Sequence, residues 1–143
     1  MKRLIKISII VYYFMITASF GADKIVASSI NGKLLNPLKV HSDYSFLLAG
    51  HIYGSHNKSI FPAASLLANI ELLNDLKPDF MVLLGDIVSG CNELEFAKLR
   101  ESFLTKVTFP VFNAVGNHDV PNDDLRVLYE KHFGKTFFSF EVG

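Results

Sequence analysis

Two apolar runs, each ending in glycine and a polar residue, limit the possible folds of this chain more than any other feature. The first covers residues 80–84 and leads into Gly-Asp; the second covers residues 111–115 and leads into Gly-Asn-His-Asp. Short continuous apolar runs are typical of strands buried in a parallel sheet, whose ligands bind beyond the carboxyl ends of the strands. We therefore expect Asp86, Asn117 and His118 to share one crevice.

The rest of the pattern alternates helices with strands. Helical spacing of apolar residues predicts three helices, within residues 66–76, 92–107 and 122–134. Two further strands are predicted at residues 44–50 and 136–142. The resulting β-α-β-α-β-α-β order predicts an α/β fold with a mostly parallel sheet. Asn31-Gly32 predicts a short hairpin between residues 25–27 and 34–35, ahead of the first strand of the sheet.

The N-terminus has the composition of a signal peptide. Lys2, Arg3 and Lys6 precede a strongly apolar run without charge, which small residues follow. We assign residues 1–22 to a signal peptide, 23–43 to a lead-in segment and 44–143 to the domain, and expect export to the periplasm or outside the cell. The alternative is an uncleaved membrane anchor, although the run is shorter than the ~20 residues a spanning helix needs.

Composition excludes several classes of function. The formal net charge of zero argues against a nucleic-acid-binding face, which needs excess positive charge. Cys91 is the single cysteine, so no disulfide forms within the chain, and a zinc site built on several cysteines is excluded. A small residue in a helix-entry loop is sufficient explanation for Cys91. Oligomeric state is left open.

Each polar residue at the strand ends has an ordinary structural explanation when taken singly. Asp86 and Asn117 suit turns, and an isolated histidine such as His118 is more often structural than a ligand. The combination is specific, and it resembles the calcineurin-like metallophosphoesterases, whose motifs read Asp-x-His, Gly-Asp and Gly-Asn-His-Asp/Glu, each after a strand. The last two match here, and the resemblance runs from Tyr44 to the last residue. It implies the N-terminal half of an α/β/β/α sandwich.

The resemblance implies hydrolysis of a phosphomonoester or phosphodiester by two divalent ions, manganese, iron or zinc, which carboxylate, amide and imidazole groups suit. Asp86 would bridge the ions and Asn117 would ligate the second. His118 would contact the phosphoryl group and help protonate the leaving oxygen, and Asp119 would hold the His118 ring.

The first motif departs from the family pattern. In place of Asp-x-His-Gly the chain has His51-Ile52-Tyr53-Gly54. His51 can still ligate a metal as neutral imidazole, and Tyr53 could ligate iron as a phenolate. The missing carboxylate predicts weaker binding or a different metal. We expect His56 to be a solvated loop residue and His132 to lie on a helix away from the strand ends.

The later Gly-His motifs of the family do not follow residue 119. We interpret the chain as the N-terminal half of a longer protein, a fragment or a truncated frame, with weak or no activity and an exposed apolar sheet surface. The rival interpretation is a non-catalytic protein of the same fold that binds a ligand or partner. A nucleotide-binding module is less favoured, because no phosphate-cradling glycine loop follows the first strand.

Overall fold

The computed structural model describes residues 25–35 and 43–140. Its strands are β1 (Val26–Ala27), β2 (Leu34–Leu35), β3 (Phe46–Ala49), β4 (Phe80–Leu84) and β5 (Val111–Ala114). Its helices are α1 (Ala64–Ala68), α2 (Ile70–Asp75), α3 (Glu93–Leu99), which continues as a π-helical turn (Arg100–Leu104), and α4 (Asp123–Phe133). The predicted signal peptide, residues 1–22, lies outside these ranges. No helix within them is long and apolar enough to cross a membrane.

The centre of the fold is a three-stranded parallel sheet in the order β3-β4-β5. Leu83 of β4 pairs with Ala49 of β3 and with Asn113 of β5, so all three strands end at nearly the same level. This arrangement confirms the predicted α/β class. The carboxyl ends of the strands form one edge of the sheet, as parallel pairing requires.

One face of the sheet packs on the helices and forms the core. Met81 and Leu83 are buried on this face, and the predicted apolar stripe of α3 and its continuation lies against them. Its members are fully buried: Phe96, Leu99, Phe103 and Val107. Burial of each such side chain contributes about 1.5–3 kcal/mol to folding. The helices are therefore fixed over the sheet that carries the loops described below.

The first predicted helix is interrupted at Asn69. Its backbone leaves the helical region at φ −109° and ψ 14°, which separates α1 from α2. The Asn69 side-chain amide donates a hydrogen bond to the Ser65 carbonyl at 2.7 Å. Asparagine competes with the helical backbone by such local bonds, which explains the break.

The predicted strand at 136–142 does not form over residues 136–140, and residues 141–143 lie outside the described ranges. The ring of Phe140 instead stacks on that of Phe112 in β5, with centroids 4.3 Å apart, and Phe138 lies 6.2 Å from Phe112. The segment thus covers the second face of the sheet with aromatic rings instead of pairing with a strand. The prediction of a last strand is wrong for these residues.

The predicted hairpin is confirmed, because β1 and β2 pair antiparallel. Its tip packs into the fold: Ile30 is 1% exposed, and the Ser28 hydroxyl donates to the Val111 carbonyl. The Arg100 guanidinium donates to the carbonyls of Ile30 and His132, at 3.1 and 2.9 Å. The described part of the lead-in segment is therefore integrated with the core.

This packing predicts that Ile30→Ala lowers the free energy of unfolding by about 2–4 kcal/mol, because it leaves a cavity under the hairpin tip. Leu34→Ala is the matched control on the same hairpin, since Leu34 is 58% exposed, and should change it by less than about 0.5 kcal/mol. Urea unfolding of both variants measures the difference. Equal effects would show that the hairpin tip is not part of the folded core.

Candidate functional site

The loops after β4 and β5 approach each other closely at the carboxyl edge of the sheet. Asp86 has a left-handed backbone, with φ 53°, and is 6% exposed. A Cβ atom at Gly116 would overlap the Asp86 carboxylate and backbone nitrogen. Only glycine permits this contact, so the glycine of the second loop is required for the first loop to sit where it does.

Asp119 links the loops after β4 and β5. It is 0% exposed, and its carboxylate accepts hydrogen bonds of 2.8–3.3 Å from four backbone N–H groups, those of Asp86, Ile87, Val88 and Gly116. Burial raises the pKa of the Asp119 carboxyl above its ordinary value, and the four hydrogen bonds oppose that rise. The carboxylate acts as a structural acceptor for donors that would otherwise be unpaired.

His118 lies on the second loop and is oriented by the first. Its backbone N–H donates to Asp86 Oδ1 at 3.0 Å, and its ring Nδ1 lies 3.0 Å from the Ser89 carbonyl oxygen. The predicted contact from Asp119 to the His118 ring is not the one in the structure, because both Asp119 oxygens are engaged by backbone donors. The ring is instead hydrogen-bonded to the Ser89 carbonyl, on the loop after β4.

His51 brings the end of β3 into the same crevice. Its Nε2 lies 3.2 Å from Asp86 Oδ2, and its backbone N–H donates to the Gly85 carbonyl at 3.3 Å. The His51 side chain is 71% exposed, whereas Asp86 is buried. The structure therefore brings together the two residues predicted to ligate a metal at the ends of β3 and β4.

Asn117 stands on the same loop as His118, with an exposed side chain. Among the described residues, no group hydrogen-bonds to its side-chain amide. The amide oxygen is consequently available to a ligand, but its position is not fixed by the protein contacts that fix Asp86 and His118.

Tyr53 and His56 also border the crevice. The ring of His56 lies 5.0 Å from that of His118, edge to face, while His56 remains exposed. Tyr53 lies 5.2 Å from the His118 ring, and its hydroxyl is 3.4 Å from His51 Nδ1. The signal for His56 was its position on the same glycine-containing loop as His51.

His132 and Cys91 both lie outside the crevice. His132 Nε2 is 2.6 Å from a carboxylate oxygen of Glu93, so it links α4 to α3, away from the strand ends as predicted. The buried Cys91 thiol contacts the Leu125 carbonyl at 3.6 Å, and burial raises its pKa. Neither contributes to the crevice.

The positions of His51 Nε2 and Asp86 Oδ2 are compatible with two ligands of one metal ion. Two ligands of one tetrahedral ion, each at about 2.1 Å from it, lie about 3.4 Å apart, which is close to the 3.2 Å between His51 Nε2 and Asp86 Oδ2. Residues 25–35 and 43–140 contain no group of three or more His, Cys, Asp or Glu side chains that could hold an ion. The described residues thus bring together one imidazole and one carboxylate, those of His51 and Asp86, which could supply two ligands to an ion.

Comparison with protein families gives one match. A family described as calcineurin-like phosphoesterase matches residues 40–142, which includes every strand of the central sheet and all the crevice residues. Comparison with curated proteins and with solved structures finds no match.

The contacts of Asp119 predict that Asp119→Asn lowers the free energy of unfolding by about 2–3 kcal/mol, because the amide nitrogen would face backbone donors in either orientation. Asp124→Asn removes an exposed carboxylate from the first turn of α4 and should cost less than about 1 kcal/mol. Denaturant unfolding of the two variants tests this. If they were equally stable, the carboxylate would not be holding the loops.

Proposed function

The chain belongs to the calcineurin-like phosphoesterase family, and we propose that the crevice at the ends of β3, β4 and β5 is a metal-dependent site for phosphoester hydrolysis. The observation that carries this proposal is the 3.2 Å approach of His51 Nε2 to Asp86 Oδ2, with His118 held against the same carboxylate by its backbone N–H. Phosphomonoesters and phosphodiesters are the expected substrate class.

The proposed ligands lie on three loops. His51 and Asp86 would hold one divalent ion, and Asp86 and Asn117 a second, with manganese, iron or zinc suited to this mixture of imidazole, carboxylate and amide. When bound, such ions neutralise charge on the phosphoryl oxygens and supply a nucleophile at neutral pH. His51 would ligate as a neutral imidazole, so the first ion would be held with less negative charge than a carboxylate would provide.

The remaining residues position the substrate and its protons. His118 lies beside Asp86, so that its ring can contact the phosphoryl group and deliver a proton to the leaving oxygen. Tyr53 and His56 border the ring of His118 and narrow the space around it. Asp119 keeps the two loops at a fixed separation, because it accepts hydrogen bonds from both.

A non-catalytic role is the second candidate. It is favoured by the replacement of the first-motif carboxylate by His51 and by the incomplete ligand group among the described residues. In that case the same crevice binds a ligand or a partner without hydrolysing it. Metal binding separates the two candidates.

We propose export as the setting of this activity. The support is the N-terminal sequence, in which Lys2, Arg3 and Lys6 precede an uncharged apolar run. Fractionation of cells that express the full chain, with an antibody to a folded epitope, would test it. Retention in the cytoplasm would contradict export.

The proposal predicts that the purified full-length chain retains divalent metal after dialysis and that Asp86→Asn weakens this binding by more than about 100-fold. Asp124→Asn, which also removes one carboxylate, should bind as the wild type does. Titration calorimetry with Mn²⁺ and elemental analysis measure the binding, and hydrolysis of p-nitrophenyl phosphate and bis(p-nitrophenyl) phosphate, with and without EDTA, measures the activity.

Two outcomes would count against the proposal. Undiminished metal binding by Asp86→Asn would place the metal elsewhere. Absence of metal binding from the wild-type chain would favour the non-catalytic candidate.

A further inference from the structure

The ring of His118 has a defined protonation pattern. Its Nδ1 lies 3.0 Å from the Ser89 carbonyl oxygen. A carbonyl oxygen carries no proton and can only accept, so Nδ1 must carry the hydrogen of this bond. In the neutral ring the lone pair is then on Nε2, on the other side of the ring.

The peptide unit that presents this carbonyl is held by Glu95. The Ser89 carbonyl and the Gly90 N–H belong to one planar trans peptide, so that they point in opposite directions. Glu95 Oε2 accepts from the Gly90 N–H at 3.0 Å and from the Ser89 N–H at 2.8 Å. Fixing the Gly90 N–H on one side therefore aims the Ser89 carbonyl at His118 on the other.

Glu95 is itself fixed by the start of α3. Its backbone N–H donates to Asn92 Oδ1 at 3.0 Å, and its Oε1 accepts from Asn92 Nδ2 at 3.1 Å. The carboxylate is thus locked to the helix N-terminus and reaches back to the loop after β4. Glu95 therefore serves both the cap of α3 at Asn92 and the loop that touches His118.

We infer that Glu95 is a positioning residue for proton transfer, which acts through the Ser89–Gly90 peptide to hold His118 with its hydrogen on Nδ1 and to leave Nε2 facing the substrate. This inference rests on the proposed function, in which His118 protonates the leaving oxygen. The imidazolium gives its Nε2 proton to the leaving oxygen, which becomes a hydroxyl, and the ring remains as the neutral Nδ1–H form that Ser89 stabilises.

The first test is spectroscopic and independent of activity. The full-length chain is labelled with ¹⁵N-histidine and measured in EDTA at a pH of about 8.5, well above the ordinary pKa of imidazole. The His118 signals are identified by their loss in His118→Gln. The expected result is a protonated Nδ1 and an unprotonated Nε2. A ring with its proton on Nε2 would overturn the inference, whether or not the protein binds metal or hydrolyses phosphoesters.

The second test removes the charge of Glu95. In Glu95→Gln the remaining side-chain oxygen can accept from the Ser89 and Gly90 N–H groups. The new amide nitrogen would then face the Asn92 Nδ2 group, and neither can accept a hydrogen bond from the other. We expect mixed His118 tautomers and a fall in kcat of about 10-fold with KM nearly unchanged. Glu93→Gln is the matched control in the same helical turn, because Glu93 pairs with Lys131 and His132 on the opposite side, and it should leave both readouts unchanged.

Circular dichroism checks the folding of each variant. If Glu95→Gln is unfolded, Glu95→Asp keeps the charge but shortens the side chain by one methylene, and the same change in tautomer is expected. Wild-type His118 signals in a folded Glu95 variant would overturn the role of Glu95. If the wild type binds no metal but His118 carries its proton on Nδ1, only the proposed function is contradicted.

Discussion

The buried carboxylate of Asp119 joins the loops after β4 and β5. Asp119 accepts hydrogen bonds from the N–H groups of Asp86, Ile87 and Val88 on one loop and of Gly116 on the other. Buried donors without partners cost about 1–3 kcal/mol each, so the two loops depend on this residue for their shared geometry. The same loops also meet at Gly116, where a Cβ atom would overlap Asp86, whose backbone is left-handed.

The sheet sets the level at which these loops meet. Parallel pairing of β3, β4 and β5 places three strand ends in register, and the helical layer fixes the sheet from one side. The aromatic rings of Phe138 and Phe140 cover part of the other side. All the crevice residues thus stand on loops that directly follow the strand ends. Asp86 is buried there, whereas His51, His56 and Asn117 are exposed.

Local chemistry made much of this predictable from sequence. Apolar runs located the strands, and the caps at Asn92 and Asn122 accept from the N–H groups three residues on, as their side chains favour. The proximity of Asp86 and His118 followed from parallel pairing alone. These features depend on residues close in sequence or on the general rule for strand ends.

The failures depend on tertiary contacts. Residues 136–140 alternate as a strand would, but they form no strand, and the rings of Phe138 and Phe140 lie against Phe112. The exception is Asn69, which divides a helix through a local hydrogen bond to the carbonyl of Ser65, four residues earlier. The partner of His118 is a main-chain carbonyl, which no side-chain pattern can reveal. The family resemblance implied that Asp119 would hold the His118 ring, but backbone N–H groups of the two loops donate to both of its oxygens.

The central claim is that His51, Asp86 and Asn117 converge on divalent ions at the strand ends. Anomalous scattering from crystals of the full-length chain grown with Mn²⁺ tests it most directly. We expect a manganese peak about 2.1–2.3 Å from both His51 Nε2 and Asp86 Oδ2, beside the loop that carries Asn117 and His118. A manganese peak bound elsewhere, or an ordered crevice without one, would contradict the account.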